Sequence, residues 1–289
     1  MLKTKLNFHD KLPLTCNRSG ICCHGKVVHI NPWELVCLSN EKKTTPKEFL
    51  DLYCELGGII LKFNGEKDTS GKSACSQYVE NFGCSVHVGR PLACRLYPLG
   101  RQIQSDEVSY IFEGKDFPCL TGCPDVTQLP ELSVSEYLSG QQSEKFELAQ
   151  DEYLELMQNL ADVAFSLLLD TGLSKTGDTK TLEKWRIMGN ASIETLVDKI
   201  EKEWLSALML PEITDNVDDP VTFIQKHNDL LQAKAQEKFG TLQSFQEFHE
   251  ASVLIMGITL YLARSIGADP KSLVEHWIDI AKENGAKEE

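Results

Sequence analysis

Cysteine disappears from this chain after Cys123: all ten cysteines of the 289 residues fall at or before that position. A disulfide scaffold spread over the whole chain is thereby excluded, and whatever the thiols do is confined to the first half. Positive charge is also in short supply, with 29 Lys and Arg against 43 Asp and Glu for a formal net charge of −14. No local basic patch interrupts that balance, so neither nucleic acid nor a membrane surface is an expected partner. Long apolar runs are missing as well. The two longest, residues 161–169 and 251–263, fall short of the roughly 20 residues that cross a bilayer. Residues 1–14 alternate charged and apolar side chains without the apolar centre of a secretory signal, so the expected address is the cytoplasm.

What is present reads as a globular protein in two parts, 42% hydrophobic and 25% charged. Residues 1–125 are loop-rich. Their spacing predicts a short strand over 26–30, a helix opened by Asn31-Pro32 and a second helix from Pro46 to the Gly57-Gly58 pair. A hairpin joining 58–63 to 74–79 follows, then a tight, proline-punctuated segment from Cys84 to Pro98. After residue 126 apolar residues recur at helical spacing over 132–138, 146–170, 181–210, 219–239, 242–265 and 271–284. Tyr153, Leu156, Leu160, Val163, Leu167 and Leu168, for example, share one helical face. The expected fold is α+β: an irregular, loop-rich cysteine-cluster domain with short strands and helices over 1–125, then an all-α helical domain over 126–289.

The cysteines fall into three groups: Cys16, Cys22 and Cys23; Cys75, Cys84 and Cys94; Cys119 and Cys123. The cytosol keeps thiols reduced, so clustered ones read as metal ligands or redox groups. The vicinal pair Cys22-Cys23 is poorly placed to bond to itself, yet both thiolates can serve one metal centre, and Gly20 lets the backbone fold closely beside them. Thiolates are soft donors that select zinc or iron–sulfur centres over magnesium or calcium. Eight of them exceed the four that one structural zinc needs. An iron–sulfur cluster is therefore the expected cofactor and zinc the alternative.

On these residues the first part resembles the YkgJ-like cysteine-cluster family, zinc- or iron-chelating proteins often called iron–sulfur-cluster-containing. That family opens with Cys-x-x-Cys-Gly-x-Cys-Cys, continues with an isolated Cys and Cys-x-x-Tyr-x-x-Arg-Pro-x-x-Cys-Arg, and closes with later cysteines. The opening maps onto Cys16, Ser19, Gly20, Cys22 and Cys23, and the isolated position onto Cys75. The signature maps onto Cys84, His87, Arg90, Pro91, Cys94 and Arg95, and the close onto Cys119 and Cys123. Two departures stand out: Ser19 replaces the second cysteine, and His87 stands where the family has Tyr. Some flagellin lysine methylases carry a similar region, which implies a link to protein modification.

Arg90 and Arg95 are expected beside the cofactor, where guanidinium groups offset thiolate charge and donate hydrogen bonds to sulfur. Pro91 is expected to fix a turn that brings Cys84 and Cys94 together. His24 is a further candidate ligand, with His29 and His87 behind it, whereas Cys37 and Cys54 read as core thiols. Residues 65–73 (GEKDTSGKS) mimic a phosphate-binding loop but carry five residues where that loop has four, so they read as a hairpin turn. No Ser-His-Asp set, paired carboxylates or dinucleotide fingerprint is legible. The expected function is metal binding in a redox or maturation role. The alternatives are a zinc-stabilised module whose helical domain binds an unknown protein partner, or an enzyme resembling cluster-containing protein lysine methylases.

Overall fold

The computed structural model describes residues 4–12, 20–104, 107–112, 128, 130–213, 215 and 217–288. The chain forms an α+β fold of two compact units that do not follow chain order. One unit is built from residues 1–28, 37–54 and 61–147, the other from 29–36, 55–60 and 148–289.

In the first unit a three-stranded antiparallel sheet runs in the order β1 (Thr4–Leu6), β7 (Glu107–Phe112), β6 (Leu99–Gln104). Leu99 pairs with Phe112 and Gln104 with Glu107, while Leu6 of β1 pairs with Tyr110. Tyr110 and Phe112 turn into the core, and Glu147 accepts the Tyr110 hydroxyl at 2.7 Å. Sequence spacing gave no hint of this sheet. Helix α2 (Pro46–Tyr53) begins with a capping box, in which Thr45 Oγ1 accepts from the Glu48 amide and the Glu48 carboxylate accepts from the Thr45 amide. It stops four residues before the predicted Gly57-Gly58 end, because Cys54 is already extended, at φ −118° and ψ 160°. The predicted strand at 26–30 is reduced to a single bridge, His29 with Ile60. The expected hairpin keeps its outline through Ser76 N to Lys62 O (2.8 Å) and Gly65 N to Ala74 O (3.0 Å). Its tip is the phosphate-loop mimic. There Asp68 Oδ1 accepts from Ser70 N, Ser70 Oγ and Lys72 N, so the loop's own carboxylate occupies the donors that a phosphate would need. Helix α4 (Val134–Gln141), capped by Ser133 and Glu136, completes this unit.

The second unit is helical: α5 (Glu144–Leu169), α6 (Lys180–Asn190), α7 (Ile193–Lys199), α8 (Lys202–Met209), α9 (Pro220–Phe239), α10 (Phe245–Ser265) and α11 (Pro270–Glu283). The single helix expected over 181–210 is three. Ala191 is extended and Ser192 caps α7 through the Thr195 amide. Ile200 breaks the chain again at φ −88°, ψ 131°. Every residue from Ile255 to Ala263 in α10 is buried, which makes it a central helix, apolar all round. Trp185, Trp204, Trp277, Tyr153 and Phe223 from other helices, and Tyr261 of α10 itself, are fully buried side chains of this unit. The sequence-predicted face of α5 is buried at Tyr153, Leu156, Leu160, Leu167 and Leu168, while Val163 is half-buried. Residues 29–36 and 55–60 belong to this unit: Trp33 Nε1 donates to Val217 O at 2.9 Å and Tyr261 Oη to Leu56 O at 2.8 Å. No described helix is long and apolar enough to cross a membrane.

Candidate metal centre

Five of the eight predicted ligands lie among the described residues: Cys22, Cys23, Cys75, Cys84 and Cys94, all free thiols. Cys16, Cys119 and Cys123 lie outside them. Cys22 and Cys23 ride on a 3-10 turn, Ile21–Cys23, anchored by Cys23 N to Gly20 O at 2.8 Å. Gly20 sits at φ +76°, and a Cβ there would come within 2.5 Å of the Tyr78 ring, so only glycine lets the turn approach this closely. Cys23 O then accepts from Cys75 N at 2.7 Å, bringing the second group against the first. Cys84 joins through a small hairpin, in which β4 (Tyr78–Val79) pairs with β5 (Gly83–Cys84) and Tyr78 lies opposite Cys84. Cys94 sits on the short helix α3 (Leu92–Leu96), and its amide donates to Pro91 O at 3.0 Å, so Pro91 does start the turn that presents this thiol.

The five thiols are electrostatic neighbours. The hydrogen bond from Cys23, helped by Lys26 and Arg90, holds Cys22 below the usual thiol range. Cys23 is pushed up by that same shared proton, by burial and by the charges of Cys22, Cys94 and Cys84. Burial raises Cys75, with Cys84 and Cys22 adding to it, and burial also raises Cys84, opposed by Arg90 and Lys42. Surrounding protein raises Cys94, together with Cys75, Cys22 and Cys84, although its side chain is the most exposed of the five. A group inside a concave site can be flanked by protein on most sides and still be reached by water. Within the vicinal pair the ionisation of Cys22 is thus favoured over that of Cys23. Several buried thiols resist ionising together, which is the condition that a bound cation relieves. Among the described residues, no three His, Cys, Asp or Glu side chains converge as a finished coordination sphere. The donor chemistry fits a soft metal; the sphere is not closed by these residues as they stand.

The basic residues divide in a way that the sequence did not show. Arg90 acts on Cys22 and Cys84 and also donates to His87 Nδ1 (3.1 Å) and Gln141 Oε1 (2.7 Å). Arg95 is buried and donates to the carbonyls of Arg90 (2.9 Å), Gln141 (2.7 Å) and Val88, with its guanidinium 3.7 Å from the centre of the Phe146 ring. That places it as a staple beneath the Cys84–Cys94 loop. Lys26, 3.1 Å from the Tyr97 ring centre, and Lys42, bonded to Ser85 Oγ at 3.2 Å, complete the positive set and were missed. Lys26 follows Cys23 by three positions, the one signal that could have found it. His24 donates through Nδ1 to Gly20 O (3.3 Å) and packs edge-on against Tyr78, while His29 lies in the helical unit. Cys54 is buried as expected, and Cys37 is half-buried on α1 (Pro32–Lys42), with its carbonyl tight against Gly89.

A 3-10 turn, a small hairpin and a short helix thus bring five thiols from separate chain segments into one unit, which defines a cysteine-cluster module. Residues 15–111 match the model of the CxxCxxCC family, described as "Putative zinc- or iron-chelating domain". No curated protein and no solved structure matches the chain.

Proposed function

We propose that the cysteine unit holds an iron–sulfur cluster in a redox or maturation role, with Cys22, Cys23, Cys75, Cys84 and Cys94 as ligands alongside Cys16, Cys119 and Cys123. The observation that carries this reading is the mutual influence of five thiols drawn from separate chain segments, inside a zinc- or iron-chelating domain. The cluster would supply one-electron chemistry or a delivery cargo. The protein's part is legible in its own residues. The hydrogen bond from Cys23 favours ionisation of Cys22 at the turn, and the thiolate is the form that binds metal. Lys26, Lys42 and Arg90 offset the negative charge that builds as further thiols ionise, and Arg95 fixes the loop that presents Cys84 and Cys94. In this reading the protein works in the cytoplasm, where thiols stay reduced, and a protein partner meets the helical unit. Anaerobic purification followed by metal and acid-labile sulfide analysis tests it. Brown protein with iron and sulfide in equal amounts is expected. Colourless protein with stoichiometric zinc and no sulfide would replace it with a zinc-stabilised interaction module.

A further inference from the structure

The helical unit contains a cleft of about 500 Å³ to which the cysteines contribute nothing. That volume lies in the range of small-molecule sites, which run from roughly 300 to 1,000 Å³. Its floor is apolar, formed by Met188, Ile200, Ala251, Val253, Leu254 and Phe239 from four different helices and their ends. The polar groups stand at the rim, and most are already engaged. Glu201 pairs with Lys238. Glu247 accepts from the amides of Gln243 and Ser244 and from the Ser244 hydroxyl, closing the α10 cap. Glu250 accepts from Gln246 Nε2 at 2.6 Å, and His249 shares a hydrogen bond with Thr181 Oγ1 at 2.8 Å. Two rim cations are left. Among the described residues no carboxylate lies within ion-pair distance of Lys184 or Lys199, in a chain with 43 acidic residues to choose from.

An apolar floor with two rim ammonium groups beyond ion-pair distance of any described carboxylate has the complement of one chemical class. We propose that this cleft binds an amphipathic carboxylate, its alkyl chain against Met188, Ile200 and Leu254 and its head met by Lys184 and Lys199. The chain is held by loss of apolar surface from water. The head is held by charge-assisted hydrogen bonds from Lys184 and Lys199. Phe239 also stacks on buried Trp204, with ring centres 5.8 Å apart and planes at 4°, so an occupant leaning on Phe239 is reported by an indole.

Isothermal titration of the full-length protein with dodecanoate, below its micelle concentration, tests the site. Dodecan-1-ol serves as the headless control and acetate as the chainless one. Saturable one-to-one binding of dodecanoate is expected, with both controls weaker by about tenfold or more, tenfold being about 1.4 kcal/mol. The double variant Lys184→Gln with Lys199→Gln should lose at least about that factor for dodecanoate and none for the alcohol. Val253→Trp, which fills the floor, should abolish binding of both. Should that variant unfold by circular dichroism, the two lysine substitutions still decide, since both side chains are exposed. Dodecanoate binding no tighter than the alcohol, or unchanged by the lysine substitutions, overturns the proposal. Metal content plays no part in the readout, so failure here leaves the cysteine site untouched, and the reverse holds.

Discussion

The two units hold themselves together by different means. In the helical unit three tryptophans, two tyrosines and a phenylalanine are wholly buried, and Tyr153, Tyr261 and Trp277 bond to residues distant in sequence. In the cysteine unit Arg95 is among the largest wholly buried side chains, and the loops around it are tied by carbonyl-to-guanidinium bonds and two-residue strands. Apolar burial contributes about 25 cal/mol per Å² whether or not anything is bound. A thiol-lined site contributes only when its charge is matched. The helical unit therefore carries its stability in its own side chains, whereas a bound metal would add to that of the cysteine unit.

The largest expected effect breaks the comparison along that line. Cys84→Ser and Cys94→Ser should lose most of their metal per protein, measured against wild type prepared in parallel, because a hydroxyl is a far poorer soft donor and does not ionise near neutral pH. Cys37→Ser and Cys54→Ser should keep full metal content, with buried Cys54→Ser costing about 1–3 kcal/mol in stability. Cys37→Ser emptying the site while Cys84→Ser fills it would reverse the grouping. Next, Trp277→Ala in α11 should destabilise the helical unit by about 3–5 kcal/mol in urea titration with metal content unchanged.

A third expectation concerns acid. Burial lowers His227 to about 4. Its Nε2 faces the Ala207 carbonyl at 3.1 Å and so must carry the proton, leaving Nδ1 to accept from Tyr153 Oη at 3.2 Å. Unfolded, the imidazole takes up a proton below about pH 6.5. The stabilisation is complete above that value and is lost as pH falls from 6.5 through 4, by about 3 kcal/mol in all. His227→Gln should flatten that slope in denaturation curves of the helical transition. The smallest effects come from two matched caps. Thr45→Ala in α2 and Ser244→Ala in α10 should each cost about 1 kcal/mol, and metal retention should fall, if at all, only for the first.

Much of the helical unit was legible because 3.6-residue spacing is a strong signal over twenty residues, as in α5, α9 and α10. The breaks at Ala191 and Ile200 were not. Ser192 is a cap that could have been noticed, whereas nothing local marks Ile200. The β6–β7 hairpin escaped because Arg101, Gln102, Gln104 and Glu107 dilute its alternation, and its partner β1 lies about a hundred residues away in sequence. Cysteine spacing pointed to the site, since thiols in tight groups have few other uses. Its electrostatic surroundings were hidden, because Lys42 reaches Cys84 only through the fold.

Residues 29–36 and 55–60 belong to the helical unit, although they are made well before it. A ribosome adding roughly 5–20 residues per second releases Trp33 and Leu35 some seconds to tens of seconds before α5 is complete. Through that interval these side chains, fully buried in the finished protein, have no home. A single proteolytic cut between the units would likewise fail to part them, since the polypeptide passes back and forth. Synthesis of this protein thus has a waiting step written into its connectivity, and a chaperone that shields the segment around Trp33 would act in that interval.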